Sequence, residues 1–206
     1  MRYAAAMLVE PRSARDRLWR VASGQRGYFT AAQALHEGYS YQAQRFHAQR
    51  GNWIRIDRGI YRFREFLDLG TSDTDSLVRW NLWSKDRAVV SHQTALAVHD
   101  LGVANPQTVH LTVPPGFRQA ASAVILHHDL LEEHDIVQRE GFRVTAPLRA
   151  VAECAAMSVD QDVIDSAVSD LLARGEATRR QILHAAQRLG PQASLSVERA
   201  LREGPS

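Results

Sequence analysis

Histidine and acidic side chains are concentrated in residues 127–135, and their types suggest metal or hydrolytic chemistry. Side chains of these types are the usual ligands of zinc and other transition metals. However, the adjacent His127 and His128 point to opposite faces if they end a β-strand, which would scatter the ligands. We therefore expect no metal centre here. The titratable residues of the segment are His127, His128, Asp129, Glu132, Glu133, His134 and Asp135.

Other isolated candidates for catalysis have plainer explanations. His92 and His99 share a helical face, but two turns separate them by about 10 Å, which is too far for one ion. Cys154 lies in the apolar run RAVAECAA and is expected to be a buried, unreactive thiol. The sequence has no glycine-rich phosphate loop, no nucleophile elbow and no Cys/His zinc spacing. We expect neither enzymatic activity nor a cofactor.

A second group of polar side chains suits nucleic-acid recognition. Glutamine can pair with adenine and arginine with guanine through two hydrogen bonds each, and a carboxylate at such a surface would meet phosphate charge. The segment that contains these side chains, residues 38–63, has almost no aspartate or glutamate. We predict DNA binding by Ser40, Tyr41, Gln42, Gln44, Arg45, Gln49, Arg55 and Arg58.

Local signals predict the helices that hold these residues. A first amphipathic helix covers about residues 13–23. Thr30 and Gln33 form a capping box for a second helix, which Gly38 ends. Ser40 caps a third helix over about 41–50. Two helices joined by a glycine-containing turn are typical of a helix-turn-helix.

A helical wheel assigns the two sides of the third helix. Phe46 and His47 share the expected inner side with Ala43 and the stem of Arg50, so His47 is predicted to pack rather than to contact DNA. Tyr41 either contacts DNA or leans on the preceding turn. The outward side is expected to contain Tyr41, Arg45, Ala48 and Gln49, flanked by Gln42 and Gln44. The second helix is expected to bury Ala31, Ala34 and Leu35.

Strand-forming residues after Gly51 predict a β-hairpin. The DRG turn, with Gly59, would aim Arg55 and Arg58 at flanking phosphates or at the minor groove. We therefore predict an N-terminal winged helix-turn-helix over residues 1–66. A solvated helix face, or a winged helix that binds another protein, would also account for the polar pattern.

Formal charge divides unevenly along the chain. Residues 1–66 contain 12 arginines and 5 acids, a net charge of +7, whereas residues 67–206 contain 13 basic and 18 acidic residues, a net charge of −5. Opposite charges suggest two modules with different partners, the basic one facing a polyanion.

Residues 67–206 alternate strand and helix patterns without the repeats of a doubly wound fold. Pro147 fits the first turn of a helix, and three more helices are expected over about 160–173, 178–189 and 194–203. The predicted fold class is α+β, with the winged helix followed by a mixed α/β domain that has a helical C-terminal end.

Composition limits the cellular setting. With 45% hydrophobic residues and one cysteine among 206 residues, the chain has a globular composition and no internal disulfide framework. No segment approaches the ~20 apolar residues of a membrane span, and the apolar stretch near the N-terminus is too short for a secretory signal. We expect a cytoplasmic protein with no membrane association.

Five sequence blocks resemble the AbiEi family of antitoxins. In order they are GYFTAAQALHEGYS, RGIYRF, SHQTALAVHDLG, VHLTVPP and GFRVTAPLRAVAE, within residues 27–153. Ala150 and Glu153 depart from the family pattern, in which threonine and aspartate are common. Arg149 and Glu153 are expected to pair one helical turn apart.

The resemblance implies an antitoxin of a toxin–antitoxin operon. Such a protein binds operator DNA to repress its own transcription, and its second domain neutralises a toxin with a nucleotidyltransferase fold. Two alternatives stay open. One is a stand-alone winged-helix regulator with a ligand-sensing or dimerisation domain, and the other is a remnant of a nuclease-associated protein.

Overall fold

Capping signals in the sequence determine where the first helices begin. The computed structural model describes residues 13–68, 70 and 74–203. Thr30 Oγ1 accepts the Gln33 N–H at 3.1 Å, and Gln33 Oε1 accepts the Thr30 N–H at 2.8 Å. Ser40 Oγ accepts the Ala43 N–H in the same manner. Both predicted caps are confirmed.

The chain divides into two compact units, of which the first ends at Trp83 and the second begins at Ser84. The first unit contains a three-stranded antiparallel sheet in the order β1-β3-β2. Strand β1 was not predicted. The described elements are α1 (Ala14–Ser23), β1 (Tyr28–Thr30), α2 (Ala31–His36), α3 (Tyr41–Gln49), β2 (Trp53–Asp57), β3 (Ile60–Phe63), a 3₁₀ turn (Arg64–Phe66) and α4 (Asp75–Trp83).

Aromatic rings fill the core of this unit. Trp53 of β2 is 2% exposed and lies edge-on to Phe29, with 4.9 Å between the ring centroids. Phe63 of β3 and Tyr39 also contact Trp53. The sheet and the loop before α3 are therefore joined through one tryptophan. The buried cluster comprises Leu18, Ala22, Phe29, Ala34, Trp53 and Phe63.

The unit boundary lies later than the sequence predicted. The prediction placed it after residue 66, but α4 packs against β1 and β3. Asp75 of α4 forms an ion pair of 3.0 Å with Arg62, a residue of β3 that is almost fully buried. Because a buried guanidinium requires a carboxylate partner, α4 belongs with the first sheet.

The second unit contains a five-stranded mixed sheet in the order β6-β5-β4-β8-β7. Strand β7 was not predicted. Strands β5 and β6 pair in parallel, as do β4 and β8, while the remaining pairs are antiparallel. The strands are β4 (Val89–Val90), β5 (Val109–Val113), β6 (Val124–His128), β7 (Ile136–Arg139) and β8 (Phe142–Thr145). The helices are α5 (His92–Val98), α6 (Pro147–Ala156), α7 (Gln161–Ala173), α8 (Arg179–Arg188) and α9 (Pro191–Glu203).

Helix α6 is the central helix of this unit, and it contacts α5, α7, α8 and α9. Residues 149–155 are all buried, including Cys154, whose thiol pKa is raised by burial. The expected buried thiol and the expected α+β class are both confirmed. A helix that is buried on all sides must pair any charge it carries, which applies here to Arg149 and Glu153.

Gly102 provides a test of the packing between α5 and α7. Its φ is +63°, and an added Cβ would lie 2.5 Å from Ser166 Oγ and 2.8 Å from the Ala167 nitrogen. Gly102→Ala is expected to lower the free energy of unfolding by about 3 kcal/mol, through backbone strain and overpacking. Gly175 also has a positive φ but no atom within 4 Å of an added Cβ, so Gly175→Ala should cost only about 1 kcal/mol. Equal losses in urea denaturation would contradict the proposed overpacking.

Candidate nucleic-acid interface

Helix α3 exposes most of the residues predicted to contact DNA. Tyr41 is 72% exposed, and Gln42, Arg45 and Gln49 are exposed as well. Ser40 is exposed and caps the helix. These side chains share the outer surface of the first unit, where they could reach a ligand.

Gln44 was predicted to face outward, and this prediction is wrong. Its side chain is 3% exposed, and Nε2 donates to the Ala31 carbonyl at 3.1 Å and to the Tyr39 carbonyl at 3.3 Å. Gln44 therefore attaches α3 to the start of α2 and to the connecting loop. A buried amide with two backbone acceptors is a structural residue.

Phe46 and Leu35 were predicted to be buried, and both are exposed, by 50% and 43%. The Arg50 guanidinium lies 5.3 Å from the centroid of the Phe46 ring. His47 is on the inner side, as predicted, and its ring stacks on Trp53 at 4.9 Å. The outer face of α3 thus includes Phe46 and Arg50, which the apolar pattern had assigned to the interior.

The β2–β3 hairpin carries two exposed arginines beside this helix. Asp57 pairs with Ile60, so Arg58 and Gly59 form a two-residue turn, in which Gly59 has a φ of +70°. Arg55 and Arg58 are exposed, as predicted. The Arg58 N–H donates to Asp57 Oδ1, and the Arg79 guanidinium lies 2.7 Å from Oδ2. These hydrogen bonds lower the pKa of Asp57 and so favour its ionised carboxylate.

Acidic side chains are rare on this surface, where Asp57 of the hairpin is engaged by the Arg58 N–H and the Arg79 guanidinium. The segment 38–56 contains no aspartate or glutamate. Elsewhere in the unit, Glu37 and Glu65 are within 4 Å of Arg17 and Arg15. In the part of the chain that the structure describes, no carboxylate lies within 4 Å of the guanidiniums of Arg45, Arg55 and Arg58. The outer face of α3 and the hairpin therefore present an excess of positive charge.

In the second unit, the acids of the histidine-rich segment gather around arginines. Arg149 of α6 donates through Nε to Glu153 at 2.9 Å, as predicted, and lies 3.6 Å from Asp135. It also pairs with Asp129. Arg188 of α8 lies 3.4 Å from Asp135. Arg188 also pairs with Glu132 at 3.1 Å. These contacts attach the loop after β6 to two helices and give partners to Asp129, Glu132 and Asp135.

His127 lies instead beside two histidines that the sequence analysis had not connected with it. The His127 and His92 rings stack with centroids 3.6 Å apart, and His127 Nε2 is 3.1 Å from His110 Nδ1. Burial lowers the pKa of His92 to about 3 and that of His127 to about 4, and it also lowers the pKa of His110. All three imidazoles are therefore neutral at pH 7. His99 is apart from them and contacts the Thr145 carbonyl.

No sequence spacing could have revealed this cluster. Its members come from α5, β5 and β6, and only the parallel register of β5 with β6 places His110 and His127 on one face of the sheet. A spacing rule detects ligands within one element, whereas these three come from separate elements.

None of the helices in the described ranges combines the length and apolar content needed to cross a membrane.

No protein-family model matches the sequence, and no curated protein matches it. Among solved structures, the chain is similar to the RV2827C protein from Mycobacterium tuberculosis, with 12% sequence identity and a TM-score of 0.50. The match covers 96% of this chain and 84% of that chain. A likeness at this identity concerns the fold alone.

Proposed function

We propose that the first unit is a winged helix-turn-helix that binds duplex DNA. The order α1-β1-α2-α3-β2-β3, with the hairpin following α3, is the order expected of such a module. In helix-turn-helix proteins the second helix of the motif enters the major groove. The observation that carries the proposal is the excess of positive charge on the outer face of α3 and the hairpin, where Arg45, Arg55 and Arg58 are exposed and have no carboxylate within 4 Å in the described chain.

Helix α3 supplies the chemistry for reading bases. Arg45 can donate two hydrogen bonds to guanine, and Gln42 and Gln49 can pair with adenine. Tyr41, at the first turn, is close to the end of the helix that enters the groove in such motifs. Gln44 has no place in this set because both of its amide hydrogen bonds are internal.

The hairpin supplies contacts to the DNA backbone. Arg58 occupies the turn and Arg55 the strand before it, and both side chains are exposed. Contacts to phosphate fix orientation on the duplex and add affinity without reading sequence. Arg55 and Arg58 are therefore proposed as phosphate contacts.

At the level of the whole protein, we propose an antitoxin that represses its own operon and neutralises a toxin with a nucleotidyltransferase fold. This rests on the sequence blocks that resemble AbiEi antitoxins. Divided at the observed boundary, residues 1–83 contain 13 basic and 8 acidic residues (+5) and residues 84–206 contain 12 and 15 (−3). An acidic second unit suits a basic protein partner, since complementary charge favours association.

Two arginine substitutions test the DNA-binding surface. Arg45→Ala should weaken binding to promoter DNA of the protein's own operon by about 1–3 kcal/mol, about 5- to 150-fold, and relax sequence preference. Arg58→Ala should weaken binding to all sequences evenly and reduce the slope of log K against log salt by about 1. Fluorescence anisotropy on promoter and scrambled duplexes measures both effects.

Arg202→Ala is the matched control, because it removes the same charge from an exposed position on α9 in the second unit. It should leave DNA affinity unchanged. If Arg45→Ala and Arg58→Ala both bind like the wild type, or if binding is indifferent to salt, the proposed surface is wrong.

Co-expression tests the antitoxin role separately. The full chain should restore growth to cells that express an adjacent nucleotidyltransferase-like reading frame. Arg45→Ala should still restore growth while losing repression of the promoter, because only DNA reading has been changed. A protein that represses but never rescues growth would instead be a stand-alone regulator.

A further inference from the structure

Three histidines from separate elements of the second unit lie close enough to share one ion. His92 begins α5, His110 lies in β5 and His127 in β6. One nitrogen from each ring can be chosen so that all three lie within 4.8 Å of one another. His92 and His110 are buried and His127 is partly buried, so this is an internal cluster.

Hydrogen bonding within the protein does not account for the cluster. His92 Nδ1 contacts Ser91 Oγ at 2.9 Å, and His110 Nδ1 contacts only another imidazole nitrogen, that of His127. Within the described chain, the remaining nitrogen of each ring has no hydrogen-bond partner. His110 and His127 thus have no side-chain hydrogen bond in the described chain other than the one between them, and imidazole nitrogens that face one another suit a shared ion.

We propose that His92, His110 and His127 bind one divalent transition-metal ion of the Zn²⁺ or Co²⁺ class. Imidazole nitrogen suits these ions, whereas Ca²⁺ and Mg²⁺ prefer oxygen ligands. Tetrahedral zinc with Zn–N bonds of about 2.0–2.1 Å requires ligand nitrogens about 3.4 Å apart. His110 Nδ1 and His127 Nε2 are 3.1 Å apart, close to that spacing.

Surrounding residues already orient one of the ligands. Glu153 Oε2 accepts the backbone N–H of His92 at 3.1 Å and lies 3.8 Å from its Nδ1. With Nδ1 in contact with Ser91 Oγ, Nε2 of His92 is left for the metal. Such outer partners commonly fix the ring of a ligating histidine. His92 also has a φ of +55°, a strained conformation that these contacts maintain.

The ion would connect elements of the second unit that are distant in sequence. It would tie the first turn of α5 to β5 and β6, and three protein ligands leave one coordination position for water. This inference is independent of the proposed binding of DNA.

Cobalt titration of the untagged full-length protein tests the site. After dialysis against a chelator, addition of Co²⁺ should give visible absorption bands of tetrahedral cobalt that saturate at one equivalent and disappear when Zn²⁺ is added. His127→Ala and His110→Ala should each weaken binding by about 100-fold or more, since each removes a direct ligand, while loss of an outer partner alone costs 10- to 100-fold.

His128→Ala is the matched control. His128 is adjacent in the chain, exposed and on the opposite face of β6, so its loss should leave binding unchanged. Failure of the wild-type protein to bind one equivalent of Co²⁺ or Zn²⁺ at micromolar concentration overturns the proposal, whatever the folding of the variants. Binding that survives in folded His127→Ala, or that His128→Ala abolishes equally, also overturns it.

Discussion

Trp53→Ala is expected to lower the free energy of unfolding of the first unit by about 3–5 kcal/mol, the usual range for deleting a buried aromatic side chain. Trp53 is 2% exposed and contacts rings from several directions, including Phe29, Tyr39, His47 and Phe63. Because domains are stable by only about 5–15 kcal/mol, this loss should be visible in urea denaturation.

The same substitution should abolish DNA binding under the proposed function. Trp53 belongs to β2, and its ring supports His47 of α3, so its removal disturbs both halves of the proposed interface. Arg45→Ala should lose affinity without losing stability, which distinguishes a contact residue from a core residue.

Trp53→Phe is the conservative control, because it keeps a ring in the cluster. It should cost less stability than Trp53→Ala and retain DNA binding at low temperature. A Trp53→Ala protein with wild-type stability would show that the aromatic cluster does not hold this unit together.

Glu153→Ala is expected to destabilise the second unit by about 3 kcal/mol, the lower end for breaking a buried ion pair. The Glu153 carboxylate accepts hydrogen bonds from Arg149 Nε at 2.9 Å and from the His92 N–H and Thr145 Oγ1 at 3.1 Å each. Removing it leaves these buried donors unsatisfied. The loss stays at the lower end because Asp135 still faces Arg149.

Two further variants are compared with Glu153→Ala in thermal or urea unfolding. Glu153→Gln keeps the volume and one acceptor oxygen, so its cost should fall between those of the wild type and the alanine variant. Glu176→Ala removes an exposed glutamate and should change stability by less than about 0.5 kcal/mol. If Glu153→Ala costs no more than Glu176→Ala, the carboxylate does not stabilise α6.

The sequence correctly predicted features that depend on residues within one helical turn of each other. The capping box at Thr30, the cap at Ser40 and the Arg149–Glu153 pair all join residues three or four positions apart. The glycine in the hairpin turn is equally local. Such interactions are encoded in a short window, so a single sequence suffices to find them.

The helical-wheel prediction was wrong where the burial of a residue depends on what its helix packs against. Phe46 is apolar and Gln44 is polar, so the wheel placed the first inside and the second outside. The structure buries Gln44 because the carbonyls of Ala31 and Tyr39 lie beside it, and it leaves Phe46 at the surface. An amide with two internal acceptors can replace an apolar residue in a core, which periodicity does not register.

The sequence by itself determined most of the helices and strands, the hairpin turn, the α+β class and the separation of basic from acidic charge, because each depends on composition or on residues close in the chain. Only the tertiary structure decided which face of α3 is free, where the units divide, and that His92, His110 and His127 meet. The physical reason is the same in each case: these outcomes depend on contacts between residues far apart in sequence, such as the 61 positions between His92 and Glu153. Those contacts exist only once strand register and helix packing have formed.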